Sequence, residues 1–316
     1  MAQLDFESST VSAIYAAYEA KRREDRRNYL GMSSLGNECE RALWYEWRWC
    51  HPPEKFDGRK LRLFETGHRE EARLIQDLAD AGIEVLARTP AGSQITAEGI
   101  GGHLRGHLDG TVRGIPEAPK TEHVLECKTH NLKSFKTLLK DGVEKSKPVH
   151  YAQMQLYMAY TKICRALYLA GCKDDESIYS ECVNYDPIAA ARLIAKAERI
   201  IKFQIPPPKL YEDPSAKLAF ACGWCPAKGI CHEREFAQRN CRTCLHSTPV
   251  LDGPEGAWFC EYHKKEISTG EQRDGCSHHR YIPPLVPYEQ IEFDIDNEHI
   301  WYRQPNGELW IDGGEL

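Results

Sequence analysis

A charged pair inside an apolar strand constrains this chain more than any other feature. Val124, Leu125 and Cys127 mark a buried extended segment, yet Glu126 and Lys128 interrupt it. Side chains two apart on a strand point to one side, so this carboxylate and this ammonium share a face. Exposed strands often alternate Glu and Lys for solubility and cross-strand pairing. In an apolar strand an unpartnered Glu and Lys would be expensive, which favours a functional pair. Upstream, across a turn-rich interval, His107-Leu108-Asp109-Gly110 reads as the neighbouring strand of a hairpin, from which Asp109 reaches the same point. Two carboxylates and one ammonium then converge. Carboxylate oxygens hold a hard, octahedral cation such as Mg²⁺ or Mn²⁺, and a lysine beside it can orient or deprotonate one of its waters. The arrangement suits phosphodiester hydrolysis.

A chain of 316 residues can bury one substantial core plus a small appendage. It has no apolar run long enough to span a bilayer and no basic-then-apolar leader, so a soluble, unsecreted protein with no membrane partner is expected. The net charge of −6 is unevenly placed. Residues 286–316 hold Glu289, Glu292, Asp294, Asp296, Glu298, Glu308, Asp312 and Glu315 against Arg303 alone, a net of −7 that leaves +1 on residues 1–285. The acidity belongs to the tail, and a basic groove elsewhere is compatible with it.

Residues 7–30 read as a helix with a basic end (Lys21, Arg22, Arg23, Arg26, Arg27), equally a solvated face and a DNA contact. In the run from Ser33 through Gly36 and Asn37 to Tyr45, Gly36 breaks the chain and Ser or Asn offers a cap, placing Cys39 in a first helical turn. Leu61 to Ala81 has helical periodicity with a core stripe of Leu63, Phe64, Leu74, Ile75 and Leu78. There Gly67 lets backbone approach closely and Glu71 follows one turn later as the third metal-site residue, with His68 as its competitor and Glu70 as a further acid. Residues 83–113 read as strands broken by glycine turns. After Lys128 come Lys133, Lys136 and Lys140, then Lys145 and Lys147, a run that is usually a solvated face but here adjoins the site and suits phosphate contact. A helix from His150 to Thr161 places Gln153 and Tyr157 on one face. Strands over Arg165–Cys172 and Ile178–Asn184 and a helix from Pro187 to the prolines at 206–208 complete an α/β core with a mixed sheet flanked by helices.

Thirteen cysteines could imply a disulfide scaffold, but their number is odd and seven fall between Cys222 and Cys276 in ligand-like spacings. That pattern points to metal sites in a reducing compartment, the cytosol. Cys222, Cys225 and Cys231 need a fourth ligand; Cys39 supplies it, so that a [4Fe–4S] cluster or Zn²⁺ clasps the two ends of the core. Cys241, Cys244, Cys260 and Cys276 lie in a segment too short for its own apolar core, which argues for a structural Zn²⁺, with His246, His263, His278 or His279 able to replace one thiolate. Cys50, Cys127, Cys164, Cys172 and Cys182 lack such spacing and are expected in the core. The tail reads as a β-hairpin about Asn306-Gly307, free to pack on the zinc segment, bind a protein partner or cover a DNA groove.

Taken in order, Ser34 to Tyr45 with Cys39, Gly67 to Glu71, Gly106-His107-Leu108-Asp109-Gly110, Glu126-Cys127-Lys128, Gln153 with Tyr157, and Cys222, Cys225 and Cys231 resemble the PD-(D/E)XK nucleases. The nearest likeness is to RecB-like exonucleases with an iron–sulfur clasp, as in AddB and the four-cysteine CRISPR-associated exonucleases. The resemblance covers about residues 30–235. It implies a restriction-endonuclease-like core and metal-dependent cleavage of linear DNA from an end. Asp109 and Glu126 become metal ligands with Lys128 beside the attacking water, Gln153 and Tyr157 shape the site or contact DNA, and the clasp holds [4Fe–4S]. Arg41, Lys133, Lys136 and Lys140 are the expected DNA contacts. The implied segments are a basic N-terminal helix (1–32), a nuclease core (33–235), a four-cysteine zinc module (236–285) and an acidic hairpin tail (286–316). The expected setting is DNA recombination, repair or phage DNA processing. A non-catalytic DNA-binding or assembly protein on the same fold is the alternative, against which the complete Asp/Glu/Lys set counts. A redox iron–sulfur protein lacks any nucleotide or flavin fingerprint.

Overall fold

The computed structural model describes residues 8–22, 26–296 and 298–313. Arg23 of the basic stretch and Glu315 of the tail lie outside them. The chain divides into two compact units, one of Met1–Arg26, Pro53–Ala97 and His107–Pro187, the other of Arg27–Pro52, Glu98–Gly106 and Ile188–Leu316. Both are mixed α/β, with sheets flanked by helices.

The first unit is built on a five-stranded sheet: β1 (Glu84–Leu86), β2 (Gly110–Arg113), β3 (His123–His130), β4 (Arg165–Cys172) and β5 (Ile178–Asn184), in that spatial order. β3 and β4 run parallel and every other neighbour is antiparallel. A parallel pair needs a long crossover, and here it carries two helices. Asn131 caps the first of them, Leu132–Ser146, accepting the Ser134 N–H at 2.8 Å. The second, Pro148–Thr161, opens on Pro148 and closes at Lys162, which turns left-handed at φ 64°.

One face of the sheet is apolar. Val112, Leu125, Cys127, Leu167 and Leu169 pack on Leu74 and Leu78 of the helix Gly58–Asp80. That helix begins where Asp57 accepts the Lys60 N–H at 2.7 Å, and Gly58 is required there because a Cβ would lie 2.3 Å from the Tyr15 carbonyl oxygen. The expected core stripe is only half realised: Leu63 is 53 % and Phe64 41 % exposed. The helix is longer than the sheet is wide, so its first turns meet Phe56 and the preceding helix Ser9–Lys21 and not the core. That preceding helix is also shorter than expected, since Arg22 turns extended and donates to the Glu54 carbonyl. Gly67 has open space around it, so close backbone approach is not its role.

In the second unit the helix Glu40–Trp47 buries Leu43, Trp44, Tyr45 and Trp47, and its N-cap is Cys39 itself, whose sulfur accepts the Ala42 N–H at 3.4 Å. Ser and Asn were expected to cap it. Arg48 and Arg242 are fully buried among tryptophans, Arg48 over Trp44, Trp47 and Trp258, Arg242 over Trp49 and Trp258. Toward the C-terminus, Ser247–Pro249, Trp258–Cys260 and Lys265–Ile267 form a small antiparallel sheet. Glu289–Asp294, His299–Arg303 and Leu309–Asp312 form a second, with Asn306-Gly307 in the last turn. Its inner face packs Ile300 and Tyr302 on Val286, Tyr281 and Tyr288, so the acidic tail has its own small core. Cys50, Cys127 and Cys172 are buried as expected; Cys164 and Cys182 are exposed, on the loop before β4 and on the outer strand β5. Among the described residues no helix is long and apolar enough to cross a membrane.

Leu74→Ala should lower unfolding free energy by about 2–5 kcal/mol through the cavity it leaves. Leu63→Ala should stay within about 0.5 kcal/mol of the parent. Denaturant titration of the two variants checks the difference.

Candidate active site

Register builds the site. Leu125 and Cys127 point to the apolar face of the sheet, so Glu126, Lys128 and His130 must occupy the other. Asp109 immediately precedes β2, and Gly110 opposite Leu125 starts the pairing. A Cβ on Gly110 would approach the Leu86 carbonyl oxygen to 2.9 Å, so glycine is needed for the strands to close here. Asp109 Oδ2 then accepts the Cys127 backbone N–H at 2.7 Å, taking the place of a strand partner.

Glu126 is fully buried. One oxygen, Oε1, pairs with Lys128 Nζ; the other, Oε2, accepts from Gln153 Nε2 at 3.0 Å. The same amide nitrogen donates to Tyr157 Oη at 2.9 Å, and Tyr157 donates to the His107 carbonyl at 2.8 Å. An amide NH₂ carries two donors, and both are used. Gln153 and Tyr157, one helical turn apart, therefore strap Glu126 to the segment that presents Asp109. Both are buried, which fits shaping the site and not direct DNA contact.

Lys128 Nζ also lies 4.0 Å from Asp109 Oδ2 and donates to the Cys127 carbonyl at 3.0 Å. Its side chain as a whole keeps 27 % exposure, while the ammonium pairs inward with Glu126. Glu71 completes the electrostatic group. Burial and then the Asp109 carboxylate push its pKa up, while Lys128 and His68 pull it down. Glu70 turns away to Arg73, at 3.2 Å. Of the three residues weighed on this helix, Glu71 is the one whose charge is felt by Glu126, and His68 lies beside Glu71.

Burial, opposed by Lys128 and reinforced by Asp109, drives the Glu126 pKa up to about 7. Asp109 is raised by burial against the pull of Lys128 and the Cys127 N–H. Burial works against the charge on Lys128, but Glu126 and Asp109 outweigh it and hold the ammonium above its ordinary pKa. Three carboxylates thus feel the field of one ammonium, though among the described residues they are not drawn together into a metal-binding group. The chemistry of the donors, carboxylate oxygens, suits a divalent cation.

Sequence reading missed three further residues on this face. Tyr168 Oη lies 2.9 Å from both His130 Nε2 and His150 Nδ1. His130 is two residues past Lys128 on the same strand face, and His150 is one turn before Gln153. Spacing alone would have grouped each with its neighbour; the parallel register that sets Tyr168 beside Glu126 is what joins them. Lys133, Lys136 and Lys140 are exposed on the helix Leu132–Ser146. Arg41 belongs to the other unit, where it donates to Tyr45 Oη at 2.9 Å and to the Pro207 carbonyl at 2.7 Å.

The cysteines gather as two quartets in the second unit. Cys39, Cys222, Cys225 and Cys231 line one small cavity with Arg41, Tyr45 and Lys228. Cys241, Cys244, Cys260 and Cys276 line another of about 350 Å³, where His263 Nε2 is 3.5 Å from Cys276 Sγ. His278 stacks on Tyr262 in this cavity, and His279 turns to Thr243. Burial, and then the neighbouring thiols, push Cys241 up to about 12. Cys225 is raised by burial and by its three companions. Among the described residues no three His, Cys, Asp or Glu side chains are drawn tightly enough together to form a metal-binding group.

No protein-family model matches the chain. No curated protein matches it either. Among solved structures it is similar to an alkaline exonuclease, LHK-Exo, from Laribacter hongkongensis, at 15 % identity over 60 % of this chain and 90 % of that one, with a TM-score of 0.41. LHK-Exo in complex with dAMP gives 14 % identity over the same shares, also with a TM-score of 0.41. A protein designated SSO0001 gives 15 % identity over 72 % of this chain and 98 % of that one, at 0.41.

Gln153→Ala should cost about 1–3 kcal/mol, because Glu126 Oε2 loses its donor inside the protein. A carboxyl raised on folding binds its proton in the native state first, so in metal-free protein Glu126 contributes stability that is complete below about pH 4.5 and is lost as pH rises through about 7. The expected slope in that window is about −1.4 kcal/mol per pH unit from this group. Glu126→Gln should flatten it, as read by urea unfolding across pH in chelator.

Proposed function

We propose that this chain is a divalent-metal-dependent deoxyribonuclease of the PD-(D/E)XK kind that hydrolyses linear DNA from its ends. The observation that supports it best is the single ammonium of Lys128 set among Asp109, Glu126 and Glu71, with Gln153 and Tyr157 fixing the spacing of the first two. Asp109 and Glu126 would hold Mg²⁺ or Mn²⁺, with the half-buried Glu71 drawn in as the third carboxylate. When bound, the cation supplies charge to the scissile phosphate and lowers the pKa of a water. Lys128, kept protonated by its two carboxylates, is a hydrogen-bond donor and not a base: it orients the attacking water and shields phosphate charge. In their charged forms Asp109 and Glu126 would keep the ammonium in place. The exposed Lys133, Lys136 and Lys140, on the helix that directly follows β3, suit phosphate contact. The preference for ends rests on the order of motifs along the chain.

The same reading assigns [4Fe–4S] to Cys39, Cys222, Cys225 and Cys231 and Zn²⁺ to Cys241, Cys244, Cys260 and Cys276. Its support is that four cysteines line each cavity and that neighbouring thiols help raise Cys225 and Cys241, a repulsion between thiolates that a cation would relieve. A reduced, cytosolic setting and a role in recombination, repair or phage DNA processing go with it. The core of residues 33–235 would then carry the chemistry, the segment 236–285 the zinc, and the acidic tail a protein contact.

Asp109→Ala and Lys128→Ala should each reduce Mn²⁺-dependent degradation of end-labelled linear DNA by at least about 10²-fold. Wild-type protein that binds DNA in a salt-sensitive manner without any cleavage would instead establish a non-catalytic binder. Anaerobically purified protein should contain iron and zinc. Cys39→Ser should lose the visible absorbance of the cluster and Cys260→Ser the zinc, each measured by metal analysis.

A further inference from the structure

The polar stripe of the site does not end at Lys128. Glu126, Lys128 and His130 share one face of β3, and His150, Gln153 and Tyr157 share one face of the helix Pro148–Thr161. Gln153 ties the two stripes at Glu126. At the far end the His130 and His150 rings stack with centroids 5.9 Å apart at 25°, and Tyr168 bridges them. Ser134 Oγ, 3.2 Å from His130 Nδ1, extends the series to four side chains.

A tyrosine hydroxyl carries one proton. Set between two imidazole nitrogens, Tyr168 donates to one and accepts from the other, so the whole series runs in one of two directions. In the first, Ser134 donates to His130 Nδ1, His130 Nε2–H donates to Tyr168, and Tyr168 donates to His150 Nδ1. His150 then carries its proton on Nε2. In the second, every donor is reversed and that nitrogen is bare. His150 Nε2 has no hydrogen-bond partner among the described residues, and the ring is half-buried. Burial, followed by Lys128, His130 and Lys147, brings the His150 pKa down to about 3, so the ring is neutral in either direction. Lys147 is held nearby, its Nζ donating to the Ser134 carbonyl at 3.3 Å.

A neutral imidazole with a fixed ring plane, a free nitrogen and two ammonium groups near it suits an oxyanion that only accepts hydrogen bonds. Such an oxyanion selects the first of the two directions. We propose that His150 is a substrate-binding residue that donates Nε2–H to a non-bridging oxygen of a DNA phosphodiester next to the scissile one, with Ser134, His130 and Tyr168 as positioning residues behind it. His150 is three residues from Gln153, about 4.5 Å of helix rise, so the phosphate it holds lies close to, but apart from, the group held at Glu126 and Lys128. The inference rests on the nuclease reading and deepens it.

The test measures DNA binding by anisotropy in Ca²⁺ and cleavage kinetics in Mn²⁺, on wild type, His150→Asn, His150→Gln and Tyr168→Phe. Asn keeps an acceptor for Tyr168 and loses the outward donor; Gln reaches the position of Nε2. For His150→Asn, affinity should fall and KM rise about tenfold with kcat within about twofold, the pattern of lost ground-state binding. His150→Gln should recover at least half of that loss, and Tyr168→Phe should lose about threefold. The slope of log affinity against log salt should not change, because a neutral donor releases no counterion; a direct lysine contact would change it by about 1. Wild-type KM and affinity in His150→Asn, or a fall in kcat at constant KM, would overturn the proposal. If His150→Asn does not fold, as judged by circular dichroism, Tyr168→Phe decides by the same criteria. Wild-type protein that binds DNA without cutting it would defeat the nuclease reading alone, and the binding arm would still decide whether His150 holds a phosphate.

Discussion

The buried carboxylate of Glu126 is the constraint to which the rest of the first unit answers. Removing an ion from water costs several kcal/mol unless its partners are in place, and Glu126 has two: the ammonium two residues on and the amide of Gln153. The second partner has large architectural consequences. It forces the helix Pro148–Thr161 to present a polar side chain to the interior, and that helix is buried from Ala152 through Ala159 with two glutamines among its apolar residues. Gln155 is satisfied in its turn by the Asn184 carbonyl and the Asp186 N–H. Two amides near the start of its buried stretch thus fasten the helix, Gln153 to Glu126 and Gln155 to Asn184 and Asp186. It cannot rotate to improve its apolar packing without stranding them.

That fastening fixes distance as well as orientation. Tyr157 reaches the His107 carbonyl, and Asp109 reaches the Cys127 N–H, so the two carboxylates of the site are braced through backbone that belongs to different strands. The resulting cluster is electrostatically unfinished: Asp109, Glu71 and Glu126 all sit above their ordinary pKa values, and Lys128 balances one of them. A site in this state favours a cation or protons, and the choice between them depends on pH and metal supply.

What could be read from the sequence was whatever depends on near neighbours. The strands Arg165–Cys172 and Ile178–Asn184 emerged with their full lengths, because the continuous apolar run 166–170 and the turn residues 173–177 between the two strands mark them. The shared face of Glu126 and Lys128 followed from strand geometry alone, and the approach of Asp109 from a hairpin of adjacent strands. Features that depend on how far an element extends past its partner were misread: Leu63 and Phe64 fall at helical spacing with the core stripe but stand exposed, and Cys164 and Cys182 are exposed on a loop and on an outer strand. The tyrosine between His130 and His150 was invisible for another reason. It comes from a strand joined to β3 by a crossover of two helices, and no local pattern encodes that register.

The two buried arginines of the second unit bear on how that unit can be assembled. Arg48 donates to the carbonyls of Arg242 and Phe203, while Arg242 donates to those of Trp47 and Asn28 and to the side chain of Gln272. Four of these five bonds therefore join donor and acceptor across well over a hundred residues of chain. Apart from the bond to Gln272, none of these forms when only one stretch is present, yet each stretch carries a carbonyl or a cation that must be dehydrated to join. During synthesis Arg48 therefore meets its full set of acceptors only once the segment around Arg242 has been made.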